Sequence, residues 1–188
     1  SPMPLPRRGA GPYRVRHGFG YSVYEHVEDG IASELWIYVD PQRAVKFSIL
    51  RLRNRSARAR RLSATGYVEW ILGDIRARSQ MHVICERDEA SGVLTARMPY
   101  NTEFPGRMAF FDADGDRRSF TCDRLEFLGR NGSLHAPDAM LRERLSGRSG
   151  AGLDPCAAIS VSLDLAPGQG TETVFRLGAG LDAHEALR

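Results

Sequence analysis

The amino-acid sequence predicts an all-β protein, a large antiparallel two-sheet β-sandwich. Apolar residues alternate with polar ones at a period of two, as in strands with one buried face. Turn residues separate these alternating segments at intervals of roughly ten to fifteen residues, a spacing typical of sandwiches. A chain of 188 residues is also long enough to bury a core without a disulfide or metal staple.

The clearest predicted strand covers residues 157–165, where Ala, Ile, Val and Leu alternate with smaller or polar residues before Pro167-Gly168. The same alternation predicts further strands over 62–70, 45–51, 35–39 and 81–85. The sequence MAFFD-ADGD-RRSFTC, residues 108–122, predicts a β-hairpin with its turn at 113–116.

One segment, residues 129–156, is rich in Gly, Ser and Pro and is predicted to be a long surface loop. Within it, Pro137–Leu145 is predicted to form one short helix. The C-terminal LDAHEALR is predicted to be the first turns of a truncated helix.

The stretch HGFGYSVYEHVEDGI, residues 17–31, contains a G-x-G that raises the question of a phosphate-binding loop. It lacks the third glycine of a dinucleotide fingerprint and the GK[ST] of a P-loop. Phe19, Tyr21 and Val23 alternate as in a strand, whereas phosphate cradling needs a helix N-terminus at that point. We therefore interpret the glycines as features of strands and turns.

Composition and motifs argue against several function classes. The net charge is only +3, and no apolar run approaches the ~18 residues of a membrane span. None of the five histidines belongs to a metal-binding motif, so no metal and no cofactor is predicted. The arginine-rich segment 51–61 is not interleaved with aromatic residues, which argues against nucleic-acid binding.

The three cysteines, Cys85, Cys122 and Cys156, are odd in number and widely spaced, which is no disulfide framework. A reducing compartment is the simplest interpretation. Cys85 and Cys156 lie in apolar sequence and are predicted to be core thiols rather than nucleophiles.

Several motifs taken together resemble a known family. They are GFGY…GI, L-x-N…R-x-L-x-x-x-G-Y-x-E, D-R-x-x-F-L-G-R and D-P-C-A-A, and the resemblance runs from Tyr13 to Gly178. As a set they resemble the N-terminal β-sandwich of glycoside hydrolase family 94, which includes cellobiose and chitobiose phosphorylases. Within this family, the residues of these motifs resemble most the phosphorylase-like region of cyclic β-1,2-glucan synthases.

The resemblance implies a supersandwich fold of the galactose-mutarotase type. It implies that catalytic, phosphate-binding and sugar-binding residues lie mainly on a helical (α/α)6 barrel that follows the sandwich, so no catalytic residue is assigned here. The implied domain limits are a linker or appended remnant over 1–12, the sandwich over 13–178 and the start of a helical linker over 179–188.

The expected function is that of a non-catalytic domain of a larger carbohydrate-active enzyme that synthesises or phosphorolyses β-linked glucans. Its expected partners are the barrel of the same parent chain, a β-linked glucan or oligosaccharide, and a second copy in a homodimer. Neither nucleic acid nor direct membrane insertion is expected. The expected location is cytoplasmic, on the inner side of a bacterial membrane if the parent is membrane-embedded.

The candidate carbohydrate-binding residues combine aromatic faces with hydroxyl-binding polar groups. Four belong to one segment, which would suit an interface between sandwich and barrel equally well. The other two are aromatic residues at positions of their strands where the alternation places polar side chains. They are Tyr100, Asn101, Glu103, Arg107, Trp36 and Tyr67.

Two alternatives from other classes remain open at this stage. A self-sufficient sugar mutarotase would need a histidine pair, such as His17 and His82, and a carboxylate in one cleft. A purely structural interaction domain would instead show an exposed apolar face. Fold alone does not choose among these functions.

Overall fold

The computed structural model describes residues 1–187, and its eleven strands confirm the predicted all-β sandwich. The strands are β1 (Tyr13–Gly18), β2 (Tyr21–Glu28), β3 (Ile31–Val39), β4 (Val45–Asn54), β5 (Arg60–Glu69), β6 (Ile84–Arg87), β7 (Leu94–Arg97), β8 (Met108–Ala113), β9 (Arg118–Asp123), β10 (Pro155–Leu165) and β11 (Gly170–Gly180). An eight-stranded antiparallel sheet has the order β1-β2-β3-β4-β11-β8-β7-β6, and a three-stranded sheet has the order β5-β10-β9.

Helices are few and short: α1 (Arg76–Ser79), α2 (Arg124–Leu128) and α3 (Ala183–Ala186). The predicted helix over Pro137–Leu145 is wrong, because only Asp138–Leu141 forms a single 3₁₀ turn. The residues that follow leave the helical path, and Arg142 and Ser146 reach the buried carboxylate of Glu126. The predicted C-terminal helical turn is α3, which Asp182 caps by accepting a bond from the Glu185 amide.

The predicted β8–β9 hairpin is also wrong, because these strands lie in different sheets. β8 pairs with β11 and β7, whereas β9 pairs with β10. The ADGD turn therefore crosses from one sheet to the other, with the Asp114 amide donating to Val174 of β11. A local turn signal does not specify the pairing partner, and the long strands β10 and β11 supply it here.

The strand predicted over 81–85 begins later than expected. Gln80–His82 forms a 3₁₀ turn, and β6 starts at Ile84. Met81 is 68% exposed, whereas Val83 and Cys85 are buried. The apolar alternation here marks the entry of the chain into the core, but the strand itself covers only its second half.

The main core lies between the two sheets. The eight-stranded sheet contributes Leu35, Leu50, Leu94, Phe111 and Phe175, and the three-stranded sheet contributes Ala64, Ala157, Ile159 and Val161. A second apolar cluster packs α2 and the 3₁₀ turn Asp138–Leu141 onto the other face of the three-stranded sheet. It consists of Phe127, Leu128, Ala139, Leu145 and Ala158, and Tyr67 packs against it.

Residues 142–150, which follow the 3₁₀ turn Asp138–Leu141, close one side of the sandwich, and we call them the covering segment. Gly147 donates its amide to Phe120 of the edge strand β9, and Gly150 donates to Cys85 of the edge strand β6. The exposed backbone edges of both sheets are thereby partly covered, which protects them from pairing with other chains.

The glycines of the GFG sequence serve a hairpin rather than a phosphate. β1 and β2 are joined by Phe19-Gly20, and Gly20 has a φ of 81°, which favours glycine. A Cβ on Gly18 would overlap the ring of Tyr21 opposite it. The prediction of early sandwich strands with a turn is confirmed.

The structure around the two predicted domain limits, at residues 12 and 178, is as follows. Residues 1–12 form bends and irregular backbone, and Met3 packs against the main core. β11 ends at Gly180, two residues beyond the predicted limit at 178, and α3 lies within the predicted linker.

We expect Gly66→Ala to destabilise the fold by about 1–3 kcal/mol through overpacking. A Cβ at Gly66 of β5 would lie 2.5 Å from the ring of Phe175 and 2.7 Å from that of Phe111, both in the main core. Urea unfolding measures the change in the free energy of unfolding. Gly170→Ala in β11 is the matched control, since its Cβ would meet only a carbonyl at 3.5 Å. Equal stability of the two variants would contradict the close-packing argument.

Candidate functional site

Four of the six predicted carbohydrate-binding residues lie on one loop, residues 98–107, which joins β7 to β8. The Tyr100 side chain is 71% exposed, and its ring contacts His82 with a centroid separation of 4.8 Å. The guanidinium of Arg107 lies 5.2 Å from the ring centroid of Phe104, in cation–π contact. The loop therefore presents aromatic faces and charged groups to solvent.

Asn101 has a structural role within this loop. Its Oδ1 accepts hydrogen bonds from the amides of Glu103 and Phe104, at 3.0 and 2.9 Å. Its Nδ2 donates to the carbonyl of Leu72, at 3.3 Å. The amide group thus shapes the loop and ties it to the chain after β5, whereas the Glu103 side chain is exposed.

Trp36 lies apart from the loop, on the outer face of β3. Its ring stacks on Tyr21 with centroids 5.2 Å apart, and its indole N–H donates to Glu34 at 2.5 Å. The guanidinium of Arg51 lies 5.8 Å from its centroid and pairs with both Glu34 and Glu172. We call Tyr21, Trp36, Glu34, Arg51 and Glu172 the aromatic platform.

The sequence indicated only part of this platform. The alternation of β3 correctly assigned Trp36 to the face opposite Leu35, because side chains alternate across a strand. Glu34 and Arg51 were missed, although their pairing follows from the register of β3 with β4. Glu172 reaches the site from a strand more than a hundred residues later, for which the sequence carries no local signal.

Tyr67 lies on the face of β5 that the alternation assigned to polar residues, as expected, but α2 covers this face. Its ring stacks on Phe127 of α2 at 4.4 Å, and its hydroxyl donates to Glu69 at 2.7 Å. Burial, with the hydrogen bond to Glu69, raises the pKa of Tyr67 above its ordinary range. One face of the ring is therefore engaged in packing rather than open to a sugar.

Motif residues from three parts of the chain meet beside Tyr67 in an ionic network. Glu69 contacts Arg76 at 3.1 Å and Arg124 at 2.9 Å. Asp154 bonds to both arginines, and its carbonyl accepts from the Arg124 amide. Burial by itself would raise the pKa of Glu69, but hydrogen bonds from Arg124 and Tyr67 outweigh it and lower the pKa. This network holds α1 and α2 to the three-stranded sheet.

Glu126, in the middle of the D-R-x-x-F-L-G-R motif, is a buried carboxylate with several donors. Thr121 donates its hydroxyl at 2.6 Å, and Ser146 donates both its amide and its hydroxyl. Burial by itself would raise the pKa of Glu126, but the bonds from Ser146 and Thr121 hold it below its ordinary value. Glu126 thereby anchors the covering segment to β9.

The remaining nucleophile and metal candidates are occupied by structural contacts. Cys85, Cys122 and Cys156 are buried free thiols, and burial raises the pKa of Cys156. Over residues 1–187, no group of three or more His, Cys, Asp or Glu side chains is arranged to hold a metal. His17 lies in β1 and His82 lies just before β6, at the two opposite edges of the eight-stranded sheet, so the histidine pair of a mutarotase does not assemble.

The comparison with known proteins identifies the family. The description "Glycosyl hydrolase 94, supersandwich domain" matches residues 1–188. The chain belongs to this family. Its supersandwich is 38% identical over 175 residues to cyclic beta-(1,2)-glucan synthase NdvB of Rhizobium meliloti (strain 1021), covering 93% of this chain and 6% of the synthase.

One further sequence relative supports the family assignment, and one solved structure supports the fold. The supersandwich is 29% identical over 184 residues to an N,N'-diacetylchitobiose phosphorylase of Vibrio furnissii, covering 94% of this chain and 22% of the phosphorylase. A solved polysaccharide lyase shares the fold, with a TM-score of 0.52 and 12% identity over 87% of this chain and 22% of its own. The chain thus spans less than a quarter of the length of these relatives, which are larger carbohydrate-active enzymes. Among residues 1–187, no helix has the length and apolar character needed to cross a membrane.

We expect Glu126→Gln to lower the free energy of unfolding by about 1–3 kcal/mol at neutral pH, because it removes the charged acceptor of four hydrogen bonds, two from Ser146 and one each from Thr121 and Arg142. A folded-state pKa below the ordinary value of 4.5 means that the carboxylate stabilises the fold above that pH. This contribution is lost as the pH falls through the folded-state pKa, so the difference between the variant and the wild type should shrink in acid.

Chemical denaturation at a series of pH values measures this difference. Glu143→Gln is the matched control, since the Glu143 side chain is 76% exposed and pairs only with Arg61. We expect the control to change stability by less than about 0.5 kcal/mol. A pH-independent loss in Glu126→Gln would mean that packing, not charge, is responsible.

Proposed function

We propose that this supersandwich is a non-catalytic supporting domain of a larger enzyme that builds or phosphorolyses β-linked glucans, of the cyclic β-1,2-glucan synthase type. The 38% identity to the synthase over 93% of the chain supports this assignment. The motif residues support it too, because those that carry the resemblance are engaged in packing and ion pairs rather than in an open cleft. The same proposal places the domain on the cytoplasmic side of a bacterial membrane, for which three free thiols are suitable.

An exposed apolar surface at one end of the eight-stranded sheet carries the supporting role in this proposal, and a purely structural interaction domain would show the same surface. We call it the end surface; it consists of Ile71, Ile75, Met81, Tyr100, Phe104 and Leu181. The Asn101–Leu72 hydrogen bond, the Tyr100–His82 contact and the packing of α3 on β8 bring its three segments together. Exposed apolar groups that cluster in this way mark interaction surfaces.

The proposed occupant of the end surface is the catalytic (α/α)6 barrel of the same parent chain. Leu181 belongs to this surface and directly precedes α3, which Asp182 caps as the start of a helical segment. The proposal keeps residues 1–12 as a linker, 13–178 as the sandwich and 179–188 as the start of the connection to the barrel. Contacts with a second copy of the parent are a further proposed use of the sandwich.

We expect Ile75→Asp to weaken binding of the 188-residue chain to the separately produced remainder of its parent at least tenfold, because it buries a charge in an apolar contact. Isothermal titration calorimetry measures the affinity. Val27→Asp is the matched control, since Val27 is 47% exposed against 49% for Ile75 but lies at the other end of the sheet. The proposal is wrong if the two variants bind equally well, or if no complex forms with the wild type.

The aromatic platform favours a second candidate function, contact with a glucan. The stacked rings of Trp36 and Tyr21, of which Tyr21 is 41% exposed, lie beside two carboxylates and a guanidinium. This combination matches the alternating apolar faces and hydroxyl groups of a sugar. The loop 98–107 offers Tyr100, Glu103 and Arg107 in a similar combination. Of the two, the platform lies on a rigid strand, and its charged groups are held in place by one another.

We expect a β-1,2-linked gluco-oligosaccharide to change the fluorescence of Trp36, while Trp70, which is 4% exposed, reports only on folding. Trp36→Ala should weaken binding by up to about tenfold, through the loss of stacking. Amide chemical shifts measure the affinity of the variant, and Tyr100→Ala is the matched comparison. Loss in Tyr100→Ala alone would assign the glucan to the loop instead. An absence of shifts at millimolar sugar would leave the domain as a scaffold.

A further inference from the structure

A cavity of about 230 Å³ opens where the three-stranded sheet meets the β6–β7 turn. Arg87, Arg118 and Arg144 line it, and Phe120, Leu145 and Ile159 form its apolar part. The β6–β7 turn and the loop 98–107 lie at opposite ends of β7, so this arginine cavity is remote from the end surface. A partner bound at the end surface would leave it open.

Two of the guanidinium groups converge at the turn. A Cβ built on Gly92 would touch the guanidinium groups of both Arg118 and Arg87, so the two lie over the same glycine. Arg87 is held there by cation–π contact with Phe120, at 5.8 Å from the ring centroid. Glycine at this position leaves room for the pair.

The negative charges nearby are already engaged. Asp112 pairs with Arg118 at 2.8 Å and also contacts Arg176. The Asp88 carboxylate, beside Arg87 in sequence, accepts two bonds from Ser91 and feels the charge of Arg87 from outside ion-pair distance. Glu143, beside Arg144, pairs with Arg61. Within residues 1–187, no carboxylate lines the cavity, and neither Arg87 nor Arg144 has an ion-pair partner.

The neutral polar groups of the cavity are engaged as well. The Ser119 hydroxyl accepts a bond from the Leu145 amide, and Ser146 donates its hydroxyl to Glu126. The groups left to recognise a ligand are therefore the guanidinium forks of Arg87 and Arg144, together with the hydrogen of the Ser119 hydroxyl. Such forks match the geometry of phosphate and carboxylate oxygens.

We infer that the arginine cavity is a binding site for a small molecule that carries a phosphate or carboxylate group. Its volume lies below the range of about 300–1,000 Å³ for drug-sized ligands, which restricts the ligand to a free anion or a single substituted ring. Phe120, with the apolar floor of Leu145 and Ile159, supplies a surface for such a ring. This site goes beyond the supporting role, since it needs neither the end surface nor the aromatic platform.

The test is a titration of the 188-residue chain with inorganic phosphate, a hexose phosphate, a hexuronate and the unsubstituted hexose, followed by amide chemical shifts. We expect saturable binding of at least one anionic probe, shifts at residues 87–92 and 144–147, and no binding of the neutral hexose. Affinity should fall as salt is added. Stronger binding of a sugar anion than of phosphate would assign a ring-bearing ligand, and equal binding would assign the free anion.

Arg144→Ala and Arg87→Ala should each weaken binding about tenfold, through loss of a charged hydrogen-bond donor. Arg43→Ala, in the exposed β3–β4 turn, removes the same charge elsewhere and should leave the affinity unchanged. The inference is overturned if no anionic probe binds at millimolar concentration. It is also overturned if the Arg43 variant loses as much affinity as the cavity variants.

Discussion

The sandwich depends on the side chain of Asn54, which is completely buried where the chain leaves β4 for the other sheet. Its Nδ2 donates to the carbonyls of Arg58, Leu165 and Ala166, and its Oδ1 accepts from Ser56. One amide therefore ties the β4–β5 crossover to the β10–β11 crossover. Because an unpaired buried amide is costly, this geometry fixes both crossovers at once, and with them the alignment of the two sheets. The core between the sheets follows from that alignment.

A second constraint holds the helical cover onto the three-stranded sheet. Glu69, Arg124 and Asp154 come from distant parts of the chain, and each satisfies the others in the ionic network beside Tyr67. Partly buried ion pairs of this kind require every member, because the loss of one leaves an uncompensated charge. This explains why motifs that identify the family need not mark a catalytic site. Their residue types are demanded by the packing of strand, helix and loop.

The surfaces proposed to have a function lie around this rigid frame and not within it. The end surface is apolar, as expected for contact with another domain, whereas the arginine cavity at the other end of β7 is positively charged. The aromatic platform occupies the outer face of the eight-stranded sheet. The inner face of the same strands packs in the main core. Under the proposals above, the domain holds its parent enzyme at one end and remains accessible to small ligands elsewhere. The end surface, the arginine cavity and the aromatic platform share no residue.

The sequence by itself determined where the long strands lie, since alternation at a period of two is a local property that residues such as Ala157, Ile159 and Val161 display directly. It also placed Trp36 and Tyr67 on the correct faces of their strands. Only the tertiary structure decided which strands pair, so the β8–β9 turn became a crossover rather than a hairpin. It likewise decided that Phe127 covers Tyr67, and that Arg87, Arg118 and Arg144 share one cavity. These outcomes depend on contacts between residues far apart in the chain, for which a local pattern carries no information.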